Sequence, residues 1–214
     1  LDRQWKGTGS DNHPSPPMSE QVPTECLYTL EQEKYLEADV VIVGNIFTYD
    51  SDVILKIRRH GISLISSMDF LQHFLVGKHL IAVCGTHGKS TTTSLVTWLL
   101  EVCGLEPSYL VGAKAKNFSK SARYCPHSKY FVLEADEYDI SYFDKRSKMQ
   151  TLWPDTILVN TVEFDHADIF STFDDVIKAF QYFFRRLHPN GRLLALESLP
   201  KSLKLSPRLE IVSQ

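Results

Sequence analysis

Residues 80–93 read LIAVCGTHGKSTTT, an apolar run that stops at a glycine-bracketed loop and resumes as a polar segment. No other stretch restricts the fold as strongly. Residues 80–84 predict a strand buried in a parallel sheet, and Ser90 onward predicts a helix, so the chain must turn from strand to helix within a few residues. Glycines let backbone N–H groups turn inward on an anion. The helix N-terminus adds unpaired N–H groups and a partial positive charge. Lys89 is then placed to reach the β/γ-phosphates of a nucleoside triphosphate, and the Ser90 hydroxyl to hold Mg²⁺. The spacing is G-x-x-G-K-S, and the general phosphate-loop pattern asks for a glycine where Val83 stands. A turn with no phosphate role needs only the glycines; here strand, glycines, Lys-Ser and helix occur together. The candidate nucleotide-binding loop is Gly85, Thr86, His87, Gly88, Lys89, Ser90 and Thr91.

The rest of the chain alternates strand and helix signals. Residues 39–44 (DVVIVG) form a β-branched run expected to be buried on both faces. Residues 51–60 predict a helix with Val53, Ile54 and Ile57 on one side, stopped by Gly61, and residues 62–65 a short strand. Residues 68–76 are amphipathic and helical. Residues 130–134 (YFVLE) and 156–160 (TILVN) predict strands, 173–187 a long apolar-faced helix, and 192–196 a further strand. Residues 3–11 read as a strand and a polar turn, 22–37 as weakly helical, and the tail 199–214 as weakly periodic. This pattern argues an α/β fold with a mainly parallel sheet in two blocks, 1–77 and 78–214.

Composition excludes several classes. A net charge of −3 gives no basic field for nucleic acid. The apolar runs are too short to span a bilayer, and no signal segment opens the chain, so no membrane insertion and a cytoplasmic location are expected. Cys26, Cys84, Cys103 and Cys125 form no C-x-x-C pair and are expected to be reduced, packing cysteines.

Ligands of parallel α/β sheets bind beyond the carboxyl ends of the strands. Three strand ends carry suitable groups: the 85–90 loop, the run EADEYD from Glu134, and Asn160 followed by EFDHAD. A Mg²⁺ ion beside a triphosphate needs one or two hard oxygen ligands from the protein, and Glu134 is placed to be one. His166 stands among acidic neighbours, as a ligand for a second cation or a phosphate contact. Lys145, Arg146 and Lys148 make a local basic cluster suited to a solvated loop or to an anionic substrate.

GTHGKSTT, EADEYD, FDKRSK and EFDHADIF resemble the Mur ligases. GSDNHPSPPMS and VVIVGNIFT resemble the amino-terminal UDP-sugar-binding domain of that family, which is Rossmann-like. Residues from about Lys78 resemble its central P-loop ATPase domain. The runs EADEYDISYFDKRSK and NTVEFDHADIF resemble the branch that recycles cell-wall peptides. The resemblance implies an ATP-dependent ligase. The lactyl carboxylate of UDP-N-acetylmuramate would attack the γ-phosphate, and the amino group of the tripeptide L-Ala-γ-D-Glu-meso-diaminopimelate would then attack the acyl phosphate. It implies ATP and Mg²⁺ as cofactors, Lys89 and His166 as catalytic residues, Ser90, Glu134 and His166 as metal ligands, and Asn160 at the nucleotide cleft. Lys145 and Arg146 would contact the sugar nucleotide or the peptide.

Against the family's three domains, both blocks read as partial. A first strand with its glycine-rich turn would precede Leu1, and a carboxy-terminal domain would follow Gln214. Residues 48–51 replace an Arg-Gly-Asn-Pro-like stretch. The isolated chain is therefore expected to lack ligase turnover and to leave apolar faces exposed. A nucleotide-binding module without catalysis is the competing reading. A phosphotransferase or simple ATPase explains the loop but not EADEYD and FDKRSK. FDKRSK also argues against a muramate:L-alanine ligase or a folylpolyglutamate synthetase.

Overall fold

The computed structural model describes residues 9–10, 27–28, 30–165, 169–196, 198–204 and 209–212. They divide into two compact units, one running to Phe70 with Ser141–Asp144, the other comprising Leu71–Ile140 and the chain from Lys145 onward.

In the first unit, β1 (Gly9–Ser10) pairs in parallel with β2 (Leu27–Tyr28). The weakly helical stretch before Ala38 contains two short 3-10 turns, Leu30–Gln32 and Lys34–Glu37. A β-α-β unit follows: β3 (Val40–Val43), α1 (Asp52–Arg59) and β4 (Ser63–Ser66), with β3 and β4 parallel. The sequence places α1 through the spacing of Ile54 and Ile57, both fully buried. Ser66 and Asp69 cap the start of α2 (Ser67–Leu75), whose residues from Leu71 belong to the second unit; each side chain accepts from the other's backbone N–H at 3.0 Å. The expectation for residues 39–44 is corrected. Val43 is buried, but Val40 and Ile42 are 38% and 44% exposed. The described sheet here has two strands, and the cover that a β-branched run asks for reaches only part of it. Ile57→Val removes one methylene from a fully buried side chain of this unit; it should cost about 1 kcal/mol in a denaturant melt.

The second unit is a seven-stranded sheet in the order β11-β10-β9-β5-β8-β6-β7. Its strands are β5 (His79–Cys84), β6 (Ser108–Leu110), β7 (Ala122–Arg123), β8 (Tyr130–Glu134), β9 (Thr156–Val159), β10 (Arg192–Leu196) and β11 (Leu209–Val212). All neighbours are parallel except β6 and β7. The strand–loop–helix run forms as read: β5 is almost wholly buried and α3 (Lys89–Val102) begins at the lysine. α4 (Phe173–Phe184) starts with a capping box between Thr172 and Asp175 and buries Val176, Ile177, Phe180 and Phe183. α3 leads from β5 toward β6, and α4 leads from β9 toward β10, in opposite directions across the sheet. Right-handed crossovers therefore put them on opposite faces and open a crevice between the ends of β5 and β9.

Two further readings are revised, that of the tail and that of the cysteines. β6, β7 and β11 carry no clear sequence signal, and the weakly periodic tail contains β11. Cys84 is buried and Cys125 half-buried, but Cys103 is exposed at the end of α3 rather than packed; all three are free thiols, and Cys26 lies outside the described residues. α3 also exposes Leu95, Leu99 and Val102. Among the described residues no helix is long and apolar enough to cross a membrane.

Candidate functional site

The loop after β5 is shaped by two glycines. Gly85 has φ 131° and Gly88, the N-cap of α3, has φ 76°, both in the region that side chains disfavour. At Gly85 the reason is also contact. A Cβ there would lie 2.9 Å from both Asn160 Cβ and the Thr161 carbonyl oxygen. The end of β9 crosses that close to the loop and is fastened to it. The Asn160 N–H donates to Cys84 O at 2.9 Å, and the Thr86 N–H to Thr161 O at 2.7 Å. Thr86 Oγ1 donates to Glu163 O and accepts from Glu163 N–H at 2.9 Å. Asn160 Nδ2 donates to His87 O at 3.1 Å, with its amide against Thr92 Oγ1. Asn160 thus works first as a strut between the two strand ends.

The threonine-rich start of α3 is accommodated by back-bonding. Thr93 Oγ1 donates to Lys89 O and Thr97 Oγ1 to Thr93 O, so both hydroxyls are buried with a partner.

Lys89 turns back under the loop and is buried. Its ammonium donates to Gly85 O at 2.9 Å and sits 3.2 Å from Glu137 Oε2. Glu137 is 3% exposed. Burial pushes its carboxyl above the usual carboxylate range, and the Lys89 charge pulls against that rise. Burial also pushes the Cys84 thiol well up, which keeps it a thiol at the foot of the loop.

Ser90 Oγ donates to Glu134 Oε1 at 2.8 Å, and the Gly112 N–H at the end of β6 donates to Glu134 Oε2 at 2.6 Å. Adjacent ligands of an octahedral Mg²⁺, each at about 2.1 Å, lie about 3 Å apart. The Ser90 and Glu134 oxygens already have that separation, so they fit two neighbouring positions of one ion.

Loop residues 86–91, Glu134, Asp136, Tyr138 and Asp165 wall a cleft of ≈ 400 Å³. Its acidic side chains repel a bare polyphosphate and favour one that carries a divalent cation. Of the residues expected from the sequence, Thr86 to Thr91 and Glu134 line the cleft, while Gly85 and Asn160 meet at the base of the loop. His166 lies outside the described residues. Lys145 and Arg146 are not at the cleft wall; Lys145 is exposed and pairs with Asp139 at 3.0 Å. Sequence reasoning missed Glu137 and Gly112. Glu137 stood in the EADEYD run without a role, and Gly112 gave no signal.

The model of the Mur ligase middle domain matches residues 83–206. The chain belongs to the Mur ligase family. This Mur ligase chain is 36% identical over 192 residues to UDP-N-acetylmuramate–L-alanyl-γ-D-glutamyl-meso-2,6-diaminoheptandioate ligase of Escherichia coli K12, covering 87% of this chain and 42% of that protein. It is 39% identical over 196 residues to the ligase of the same name from Haemophilus influenzae, covering 89% and 43%. Among solved structures it resembles the UDP-N-acetylmuramate:L-alanyl-γ-D-glutamyl-meso-diaminopimelate ligase of Neisseria meningitides, with a TM-score of 0.83 and 34% identity over 96% of this chain and 69% of that one. The chain thus spans about two fifths of the length of these curated relatives. The α/β fold with a mainly parallel sheet expected from the sequence is the fold of this family's solved structures.

Proposed function

We propose that this chain provides the ATP-binding part of a ligase that joins UDP-N-acetylmuramate to L-Ala-γ-D-Glu-meso-diaminopimelate in the cytoplasmic recycling of peptidoglycan. In this reading residues 78–214 are the ATP-binding domain and residues 1–77 contribute to the UDP-sugar site. The observation that carries it is the meeting of three strand ends at one cleft: Lys89 and Ser90 after β5, Glu134 closing β8, and Asn160 bracing the loop from β9. The relatives named for this reaction support the substrate assignment.

A carboxylate that attacks a triphosphate needs charge neutralisation and alignment more than proton transfer. The glycine loop turns its N–H groups to the phosphates. Lys89 supplies a fixed positive charge at the β/γ side. Ser90 and Glu134 would hold Mg²⁺, which would draw charge from the γ-phosphoryl oxygens. By the family resemblance, His166 would help to hold a second cation.

Replacing Glu134 by Gln removes a charged ligand but keeps the acceptor for Gly112. Mg-ATP binding followed by calorimetry should weaken about tenfold, and binding of ATP in EDTA should not weaken. Equal losses with and without Mg²⁺ contradict the assignment of Glu134 to the metal.

A further inference from the structure

We propose that Glu137 is the positioning residue for Lys89, an anionic anchor that fixes where the loop's ammonium stands when the triphosphate arrives. The inference rests on the nucleotide-binding reading above and adds a residue to it. Lys89 borders the cleft, whereas Glu137 lies behind it and does not form the cleft wall. The two side chains are 10% and 3% exposed, and the ammonium lies 3.2–3.3 Å from both Glu137 carboxylate oxygens.

A lysine has four rotatable bonds and three donors, and a glycine loop alone does not select one of its rotamers. Here three acceptors do so, the Gly85 carbonyl at 2.9 Å, the Thr86 carbonyl at a longer 3.4 Å and the Glu137 carboxylate. The carboxylate itself is held by its place in the chain. It is the third residue after β8, in a turn pinned where the Met149 N–H donates to Asp136 O at 3.1 Å and the Lys148 N–H to Tyr138 O at 3.0 Å. For Lys89 to leave Glu137 for a phosphate is costly, because the buried carboxylate then loses its counter-charge. The nucleotide therefore joins the pair rather than replacing it, and Lys89 bridges Glu137 to the β/γ-phosphates. A buried charge pair that sets a lysine before the phosphates come is preorganisation: the ordering of the side chain is complete before the ligand binds.

A double-mutant cycle on the whole 214-residue chain tests this, with Mg-ATP as the probe and calorimetry as the readout. Glu137→Gln should weaken Mg-ATP binding about ten- to a hundredfold in the wild-type background and less than twofold in the Lys89→Ala background. Glu137→Asp, which keeps the charge with a shorter reach, should recover part of the loss, and it carries the same cycle if the Gln variant does not fold. Losses of equal size in both backgrounds mean that Glu137 only supports the fold, which overturns the inference and leaves the nucleotide site standing. Unchanged or tighter binding in Glu137→Gln also overturns it. If the wild-type chain shows no Mg-ATP binding while remaining folded, the nucleotide reading falls and this inference with it.

Discussion

Lys89→Ala should weaken Mg-ATP binding by about a hundredfold or more, the largest effect expected from a single side chain of this protein. In the proposed site the lysine is the cation that the β5 loop would offer to the β/γ-phosphates. Its loss leaves the backbone N–H groups and the metal to balance the triphosphate. The same substitution has a second signature, because it leaves Glu137 buried opposite an alanine. Removing one partner of a buried pair costs about 3–5 kcal/mol when the other stays charged. Glu137 escapes that cost by taking up a proton. Its carboxyl already lies above the usual range through burial, and Lys89 is the charge that holds it down. Without Lys89 it rises further. A carboxyl whose folded-state value is raised gives stability that is present at low pH and is lost as pH climbs through that value. The variant should thus approach wild-type stability at low pH and fall away from it as the pH is raised, as followed by denaturant melts at several pH values. A stability gap that does not change with pH contradicts this account of the pair.

Gly85→Ala should destabilise the chain by about 3 kcal/mol or more, and the same substitution at Gly44 should not. The two sites differ in what a methyl group meets. At Gly44 nothing lies within 4 Å, while at Gly85 the new carbon comes within 2.9 Å of Asn160 Cβ and the Thr161 carbonyl. Two of the three nearest atoms at Gly85 belong to backbone, so no side-chain rotation relieves the clash. The positive φ of Gly85 adds its own cost. Relief requires the ends of β5 and β9 to part, and this breaks the Thr86–Thr161 and Asn160–Cys84 hydrogen bonds that set the cleft. Denaturant melts of the two variants measure the difference, and Mg-ATP titration of whatever Gly85→Ala protein folds should show weaker binding. Similar melts for both contradict the close approach.

How far the sequence reaches into this structure follows from what each part depends on. The β5 loop was legible because its determinants are local: an apolar run, two glycines and Lys-Ser lie within ten residues of one another. Glu134 was legible because it ends a buried strand, and the carboxyl ends of parallel strands are where such folds bind ligands. Glu137 was not, although it is only three residues on. Its importance comes from a turn that folds back beneath the loop and buries it, and nothing in EADEYD says which carboxylate goes inward. Asn160 was placed at the cleft, but its bracing of His87 and Thr92 is visible only once β9 lies beside β5. The misreading of residues 39–44 has a related cause. A β-branched run reports the preference of its own residues, whereas their burial depends on which neighbours cover the sheet. β6, β7 and β11 were passed over because strands of two to four residues exist by virtue of their pairing.

The central claim is that the cleft at the end of β5 reads the phosphates of a nucleotide through Lys89, Ser90 and Glu134. Calorimetric titration of the 214-residue chain with ATP, ADP and AMP, each with and without Mg²⁺, measures this directly. The account predicts one saturable site, tightest for Mg-ATP, weaker for Mg-ADP and weakest for AMP, with the Mg²⁺ dependence confined to the nucleotides that carry a β-phosphate. Affinity that is the same for ATP and AMP, or that is indifferent to Mg²⁺, contradicts it.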